Sequence, residues 1–438
     1  MPNLFRAHWT FMLIYILLSA VILSGIRQVP FHPDESTNLY LSQDLDIFLT
    51  NPTLLTYDER KEDDHQQRYR LIDAPLTRYL LGTGRSIMGI AALENDWEWS
   101  KTWEENLQNS AMPSDDLLYA GRLVMTLFLL LSIVLIYIIG FKIDGRTSGL
   151  AAAFLLGLSA LSLLHGRRAM AEGALLFGTT LFILSLLYST KLPWFVGLSM
   201  AVIFNSKHST IPLFFVGLLA VSWFSENITK VRYEILRNIF LYIGIFLLIT
   251  LALNPVFWHQ PIEALQTALF ERQKLLTQQV YDTQTTQPNR LVENYGLRTL
   301  ALFANLYIMP PSIAEVGNYL ENTAASEQNY SSNPINTLFR GFWGGAILMT
   351  LTLLGIILAG IQSQKSLSHQ KKIITLLLFA TVLQFFGLIM YVPLPWQRYV
   401  IPLVPFICLW VALGIKFSIN IIFDQYLEYR LKRNRGTQ

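Results

Sequence analysis

The chain of 438 residues contains a single cysteine, Cys408, and few charged residues. One thiol cannot build a disulfide framework, a CxxC motif or a cysteine-based metal site within one chain. Charged residues make up 14% of the sequence, whereas soluble domains carry about 25%. The sequence also has no P-loop, no GxGxxG dinucleotide fingerprint and no HExxH zinc motif. These absences exclude a disulfide-rich secreted protein, a cytosolic globular protein, a nucleic-acid binder and a disordered chain.

Hydrophobic residues take the place of the missing charge and make up 52% of the chain. They come mostly in runs of roughly 17–25 residues, the length at which a helix crosses a bilayer. We therefore predict an all-α integral membrane protein with about ten transmembrane helices. The predicted spans are residues 9–26, 117–141, 148–164, 171–188, 193–205, 210–224, 236–253, 341–361, 373–391 and 399–422.

The distribution of Lys and Arg predicts the orientation of the chain. With the N-terminus in the cytosol, the cytosolic segments hold fifteen Lys and Arg residues against five Asp and Glu residues. The first outer segment, residues 27–116, instead carries 17 acidic and 8 basic residues. We therefore expect both termini in the cytosol, with a basic tail at residues 424–438 that faces anionic lipid.

Two long segments, residues 27–116 and 254–337, are expected on the outer side of the membrane. Both contain amphipathic stretches suited to the membrane surface, at residues 71–93 and 261–279. Neither segment reads as a separate soluble domain, and the sequence has no internal repeat. We therefore predict one transmembrane domain over residues 1–438, whose two outer loops carry amphipathic helices.

Four cations in the short outer loops break the rule that set the orientation. Arg167 and Arg168 lie between the third and fourth spans, Lys207 between the fifth and sixth, and Arg398 between the ninth and tenth. Any one of them could simply reach a lipid headgroup. Because three separate loops carry such a cation on the same side, the stronger hypothesis is a shared site for a phosphate or pyrophosphate.

Two carboxylates lie close to the same membrane boundary. Asp34 follows the first span within a His-Pro-Asp-Glu run, and Glu172 begins the fourth span. Both could have a purely structural role. Asp34 could cap a helix that starts at Glu35, and Glu172 could pair with Arg168, four residues earlier. However, a carboxylate that enters a membrane is costly and usually functional. We therefore expect Asp34 and Glu172 to face one outer cavity.

Carboxylates beside cations at a membrane boundary suit group transfer from a phosphate leaving group. A carboxylate deprotonates or orients an acceptor hydroxyl, and cations stabilise the charge that develops on the departing phosphate. A lipid-linked phosphate reaches such a site by diffusing within the membrane, whereas a soluble nucleotide donor is expected on the cytosolic side.

Seven stretches, in chain order, resemble motifs of the GT-C glycosyltransferases. The resemblance is to the branch that uses polyprenyl-phosphate sugars, which includes protein O-mannosyltransferases and bacterial aminoarabinose transferases. Each motif is weak alone, but together the seven are distributed over nearly the whole chain. They are His32-Pro33-Asp34-Glu35, residues 73–82, Arg122 with residues 141–146, and residues 168–172, 205–208, 254–261 and 398–405.

The resemblance implies a GT-C-like fold and inverting transfer of a sugar from a polyprenyl-phosphate donor, without a metal or other cofactor. The acceptor could be a protein, a lipid or a glycan. Asp34 is the implied base, with Glu35 as the alternative, and Glu172 is a partner carboxylate. The chain departs from the family where Ala74-Pro75 replaces a double proline and Arg78 replaces a lysine, so its acceptor side could differ.

The remaining implied residues fall into two groups. The donor phosphate is expected near Lys207, Arg398, Arg168 and Tyr399. The candidates for the donor or acceptor side are His32, Arg78, Arg122, His208, Trp258 and His259.

The histidines and tryptophans also have structural interpretations. His32, His208 and His259 lie in separate segments without ligand spacing, so we expect no metal site. Trp97, Trp99 and Trp103 are spaced to line one helix face, where burial competes with stacking on a sugar.

A transporter or flippase of a lipid-linked glycan is the alternative function, and a non-catalytic scaffold is a third. A transporter needs charges near mid-membrane and often paired repeats, whereas the unusual charges here lie at span ends on one side. For an enzyme of this type we expect the plasma membrane of a bacterium, or the endoplasmic reticulum of a eukaryote.

Overall fold

The computed structural model describes residues 2–61, 64–223, 228–288, 291–292, 294–313, 315, 319–365 and 368–435. Within these residues the regular structure is helical throughout, with no β-strand, which agrees with the all-α prediction. The end of the predicted tail, residues 436–438, and Glu226 of one predicted cytosolic loop lie outside the described residues.

The first half of the chain places a set of short helices between two long ones. A one-turn 3-10 helix at Ile26–Gln28 follows α1. The α-helices are α1 (Pro2–Ser24), α2 (Pro33–Leu41), α3 (Asp44–Thr50), α4 (His65–Ile72), α5 (Leu76–Ile87), α6 (Trp103–Gln108), α7 (Asp115–Asp144), α8 (Arg146–Leu158), α9 (Ala160–His165) and α10 (Glu172–Leu186).

The second half alternates membrane-length helices with a long outer segment. A π-helical turn (Ala304–Ile308) follows α15, and a 3-10 helix (Gln397–Leu403) leads into the last helix. The α-helices are α11 (Pro193–Ser206), α12 (Pro212–Ser222), α13 (Ile228–Leu253), α14 (Pro261–Thr286), α15 (Tyr295–Phe303), α16 (Leu320–Ser332), α17 (Gly341–Lys365), α18 (Ser368–Tyr391) and α19 (Val404–Arg435).

Six helices in the described part of the chain are long and apolar enough to cross a membrane. Four shorter apolar helices, α8, α10, α11 and α12, lie where four further spans were predicted and run 11–15 residues. At 1.5 Å per residue they reach roughly 16–23 Å, less than the ~30 Å hydrocarbon core. The count of about ten spans therefore stays a prediction. The six are His8–Gln28, Asp115–Asp144, Arg232–Leu253, Gly341–Gln364, Gln370–Tyr391 and Gln397–Ile421.

Two predicted spans are interrupted. The span at residues 148–164 breaks at Ser159, whose ψ of 124° is extended, and continues as α9 to His165. The chain then turns irregularly until Glu172 starts α10. The span at residues 399–422 begins as a 3-10 helix that contains Pro402. The irregular residues 166–170 are buried in protein, which is the condition under which non-helical backbone is tolerated at membrane depth.

The first outer segment differs from the amphipathic prediction. The stretch at residues 71–93 is not one surface helix, because the chain turns at Asp73–Pro75 and then begins α5. Gly84 of α5 lies directly against Val124 of α7. Trp97 and Trp99 are outside helices and only Trp103 is in α6, so the predicted shared helix face is wrong. Instead, Trp97, Trp103 and Tyr319 form an edge-to-face cluster.

The two ends of the bundle carry different sets of residues. At one end, Lys416 of α19 forms an ion pair with Asp144 of α7 at 2.7 Å, and Ser148 donates to the same carboxylate. Asp34, Glu172 and Arg398 lie at the opposite end, where α2 and α10 begin. The chain thus keeps the predicted cytosolic and outer groups apart, although the membrane face of each end stays a prediction.

Helices α17 and α19 approach closely because each has a glycine at the contact. A Cβ at Gly355 would come within 1.9 Å of the Trp410 carbonyl oxygen, and one at Gly414 within 2.2 Å of the Leu351 carbonyl oxygen. Small residues at helix contacts are typical of membrane proteins, where close packing rather than the hydrophobic effect holds helices together.

We predict that Gly355→Ala lowers the stability of the protein. The new methyl group meets backbone rather than a flexible side chain, so the two helices must separate, at a cost of about 1–3 kcal/mol. Gly360→Ala is the matched control on the same helix, because no described atom lies within 4 Å of its Cβ. Thermal unfolding in detergent should show a lower melting temperature for Gly355→Ala only. Equal melting temperatures would contradict the packing described.

Candidate active site

A cavity of about 400 Å³ opens at the end of the bundle that holds Asp34. Its walls come from α2, the start of α10, the turn between α11 and α12, the segment before α19, and one face of α14. Four residues singled out in the sequence line it together: Asp34, Glu172, Lys207 and Arg398.

Asp34 reaches the cavity because of the way α2 begins. Pro33 occupies the first turn, and the ring of His32 caps the helix by accepting a hydrogen bond from the Asp34 N–H at 3.1 Å. The Glu35 carboxylate accepts the His32 N–H in return, which completes a capping box. The cap is therefore His32, and Asp34 is not needed for it. Its side chain keeps 23% of its surface exposed.

Arg398 is held between two carboxylates. Its Nη1 donates to Asp34, its Nε lies 2.9 Å from Glu315 Oε2, and its backbone N–H donates to Glu315 Oε1. The guanidinium carbon also lies 4.7 Å from the centre of the Trp396 ring. Arg398 thus has a fixed position at the cavity wall rather than a free side chain.

The Asp34 carboxylate is ionised at neutral pH. Burial raises the pKa of this carboxyl, but the neighbouring Arg398 guanidinium and His32 lower it more, to about 2. Burial also lowers the pKa of His32, to about 3, so its ring is neutral. By contrast, burial raises the pKa of the Glu315 carboxyl despite Arg398 beside it.

Lys207 and Glu172 form the second charged pair of the cavity. Lys207 adopts an extended backbone directly after α11, and its Nζ lies 2.7 Å from Oε1 of Glu172, the first residue of α10. The ammonium also lies 5.3 Å from the centre of the Tyr399 ring. The local pair between Glu172 and Arg168 considered from the sequence is therefore wrong. Lys207 is 20% exposed and Glu172 2%, so the ammonium is the member that faces the cavity.

Glu35 and Arg122 lie outside the cavity and hold the fold instead. The fully buried Glu35 carboxylate accepts two hydrogen bonds of 2.8 Å from the Arg122 guanidinium and one of 2.9 Å from the Ala169 N–H. Arg122 also donates to the carbonyls of Ile26 and Val29. Of the two candidate bases, only Asp34 lines the cavity.

The two arginines of the loop after α9 donate to other protein groups and do not face the cavity. Arg168 is buried and donates to the carbonyl oxygens of Pro30 and Ile313, so the structure does not bring it to the cavity wall. Arg167 donates to the side chains of Tyr330 and Asn336. Both therefore tie the second outer segment to the bundle.

Of the remaining residues proposed from the sequence, some line the cavity and others do not. Tyr399 and His208 line the cavity, and burial lowers the pKa of His208 to about 4. Arg78 lies off the cavity, paired with Asp44 at 3.1 Å. Trp258 donates to the Leu251 carbonyl and His259 is exposed. Neither Trp258 nor His259 lines the cavity.

Several cavity residues were not singled out from the sequence. Glu315 lies in the second outer segment, where its only signal is an acid that follows the apolar, proline-containing stretch at residues 306–313. Arg272 lies on α14, a helix that was predicted only as a surface element. Asp73, which begins one of the motif stretches, and Trp99, for which stacking on a sugar was one interpretation, also line the cavity. Among the described residues, no group of three or more His, Cys, Asp and Glu is placed to hold a metal ion.

Comparison with known proteins gives matches in structure only. No family model matches the sequence, and no curated protein matches it significantly. Solved structures of the archaeal oligosaccharyltransferase from Archaeoglobus fulgidus are similar in shape. The complex with zinc and sulfate is 14% identical, with a TM-score of 0.48, over 95% of this chain and 50% of that one.

Two further structures of that enzyme give the same picture. The form tethered to an acceptor peptide is 12% identical with a TM-score of 0.49, over 98% of this chain and 51% of that one. The complex of AglB with an inhibitory peptide and a dolichol-phosphate is 14% identical with a TM-score of 0.46, over 98% of this chain and 52% of that one. The chain spans about half the length of these proteins.

We predict that Glu35→Gln destabilises the protein strongly. The substitution leaves the Arg122 guanidinium buried without its counter-charge, and breaking a buried pair in this way typically costs about 3–5 kcal/mol. Glu94→Gln, at an exposed position of the same outer segment, is the matched control. Thermal unfolding in detergent should separate the two variants clearly. A Glu35→Gln protein as stable as the control would show that the pair does not hold the fold.

Proposed function

We propose that the chain is an inverting glycosyltransferase of the GT-C type that takes its sugar from a polyprenyl-phosphate donor. The observation that supports this most is the cavity itself, where an ionised, partly exposed Asp34 lies beside two fixed cations, Arg398 and Lys207. The site would work on the outer face of a plasma membrane, with both termini in the cytosol. The proposal needs neither a metal nor another resident cofactor.

In the proposed reaction an acceptor hydroxyl attacks the anomeric carbon of the donor sugar. The new bond joins the acceptor oxygen to that carbon, and the bond from the carbon to the phosphate oxygen breaks. The electron pair of the broken bond stays on the polyprenyl phosphate that leaves. The hydroxyl proton moves to Asp34 and then to solvent or to the released phosphate. Attack opposite the leaving phosphate inverts the configuration at the anomeric carbon.

Lys207 and Arg398 are the proposed phosphate ligands. Both are fixed by carboxylates that are almost fully buried, Glu172 and Glu315, so little reorganisation is needed when charge develops on the leaving phosphate. Tyr399 stacks on Trp396 and supports Lys207 from beside it. We assign Glu172 the role of holding Lys207 rather than of taking a proton.

Donor binding would also tune Asp34. With a pKa of about 2, the free carboxylate is a weak base, because Arg398 neutralises it. A donor phosphate that takes over part of the Arg398 guanidinium weakens that pair and raises the Asp34 pKa towards its ordinary value. Asp34 thus becomes a stronger base only when the donor is in place. The higher pKa suits general-base catalysis better than the value of the free site does.

A transporter would need a polar route through the bundle. Beyond the cavity, the middle of the bundle is instead filled by fully buried apolar side chains, among them Ile133, Leu176, Phe182 and Val216. The charged groups of the cavity lie at one end of the bundle, which favours a one-sided enzyme over the transporter alternative.

We predict that Asp34→Asn abolishes sugar transfer while the protein stays folded. The amide keeps the shape of the carboxylate but cannot accept the acceptor proton. The measurement is release of label from radiolabelled polyprenyl-phosphate sugars, with the purified protein in lipid nanodiscs and a membrane extract as acceptor. Asp116→Asn, an exposed position in the first turn of α7, controls for the substitution. Full transfer by Asp34→Asn would refute the assignment of the base.

We predict that removing both charges of the Lys207 and Glu172 pair weakens donor binding. The double variant Glu172→Gln/Lys207→Met leaves no buried charge unpaired, so its melting temperature should stay close to that of the wild type. Loss of a charge-assisted hydrogen bond to phosphate, worth about 1.5–3 kcal/mol, should raise the KM for the donor at least tenfold. An unchanged donor KM in a folded double variant would place the phosphate elsewhere.

A further inference from the structure

The face that α14 turns to the cavity is polar along almost its whole length. Its cavity-lining residues recur every three or four positions, the spacing of a single helix face. Leu275 is the one apolar residue among the α14 positions described on this wall. The polar ones are Arg272, Gln278, Gln279, Asp282, Thr283 and Thr286.

Part of this polar face has hydrogen-bonding capacity to spare. In the described residues, neither the Gln279 amide nor the Arg272 guanidinium has a side-chain hydrogen bond or ion pair. Asp282 accepts one hydrogen bond, from Gln278 at 2.8 Å. An amide offers two donors and an acceptor, and a carboxylate offers several acceptor positions. The face can therefore both donate to and accept from a ligand that carries many hydroxyl groups.

The wall is poorly suited to a peptide or a lipid. Extended peptides are usually held by main-chain hydrogen bonds to a free strand edge, or by apolar pockets for their side chains. Here the wall is a helix, whose own main-chain groups are used internally, and it has one apolar residue. An acceptor lipid chain bound along this helix would likewise need an apolar lining on α14 itself.

Aromatic rings line the same cavity close to Asp34 and Arg398. Trp99 and Trp396 both line it. The Trp99 ring lies 6.4 Å from the ring of His32, whose Nδ1 is 3.9 Å from the Asp34 carboxylate. Trp396 is itself buried against Arg398 and Tyr399, so the half-buried Trp99 is the ring that can meet a ligand. An aromatic ring beside a row of amides, hydroxyls and carboxylates matches the C–H face and hydroxyl edges of a sugar.

We infer that the acceptor is a glycan, bound along α14 with one of its hydroxyls presented to Asp34. This inference rests on the proposed function and narrows its acceptor, which the reaction alone leaves open. From Arg272 to Thr286 the helix extends roughly 21 Å at 1.5 Å per residue. This length exceeds a single sugar ring, so the acceptor is an oligosaccharide or polysaccharide.

The chemical class of the acceptor can be tested before its identity is known. Radiolabelled polyprenyl-phosphate sugar and the purified full chain are added to an envelope extract of the source organism. One portion of extract is pretreated with periodate and borohydride, which destroy vicinal diols, another with proteinase K, and another is freed of lipid with organic solvent. If the acceptor is a glycan, transfer is lost from the periodate-treated portion only.

Each other outcome has a distinct meaning. Loss of transfer after proteinase K but not after periodate overturns the glycan in favour of a protein acceptor, and loss after delipidation alone favours a lipid. In both cases label still leaves the donor, so the proposed function survives. No release of label in any portion, including untreated extract, would instead count against the proposed function.

Variants of α14 connect the acceptor to this wall. Gln279→Ala/Asp282→Ala should raise the KM for untreated extract about tenfold or more, since each lost hydrogen bond to a ligand contributes about 1 kcal/mol or more. The donor KM and the melting temperature should not change. The matched control is Gln266→Ala/Gln273→Ala, on the exposed part of the same helix. Equal acceptor KM values for the two double variants would overturn the assignment of the wall.

Discussion

The buried carboxylate of Glu35 joins three parts of the chain that are distant in sequence. It accepts hydrogen bonds from Arg122 on α7, from the main chain of Ala169 after α9, and from His32 at the start of its own helix. Such a network is favourable only when every member is satisfied. Because it fixes the direction of α2, it also fixes Asp34, one residue earlier. The order of the His-Pro-Asp-Glu run thus separates a residue that holds the fold from its neighbour that faces the cavity.

The cavity exists because the backbone is irregular where the bundle ends. The chain leaves α-helical geometry between α9 and α10, between α11 and α12, and before α19, where the last two places form short 3-10 helices. In a membrane such backbone is tolerated only when it is buried in protein or lines a polar cavity. Arg167 and Arg168 meet this condition by donating to groups in the second outer segment, including Tyr330 and the Ile313 carbonyl. The second outer segment therefore closes the bundle around the cavity.

The sequence was sufficient for the parts of the structure that follow from local rules. Apolar runs located a helix at each predicted span, and charges out of place pointed to Asp34, Glu172, Lys207 and Arg398, which the structure brings to one cavity. The partners in each ion pair could not be predicted from these local rules, because they depend on contacts between residues distant in sequence. Lys207, rather than the sequence neighbour Arg168, is the partner of Glu172. Glu315 was missed for the same reason, and the polar face of α14 was predicted only as part of an amphipathic surface helix. The place of both in the cavity wall appears only when the outer segments fold over the bundle.

The charge balance of the cavity bears on the kind of donor that it can take. Five carboxyl groups line it, from Asp34, Asp73, Glu172, Asp282 and Glu315, against three cations, Lys207, Arg272 and Arg398. Burial raises the pKa of Asp73 and Glu315, which reduces the excess of negative charge only in part. A polyprenyl-phosphate sugar carries one negative charge, whereas a pyrophosphate-linked one carries two. Every added negative charge must be brought close to these carboxylates in a medium that screens poorly. This charge balance therefore supports the proposed monophosphate donor over a pyrophosphate-linked one, since two of the three cations, Lys207 and Arg398, already have buried carboxylate partners.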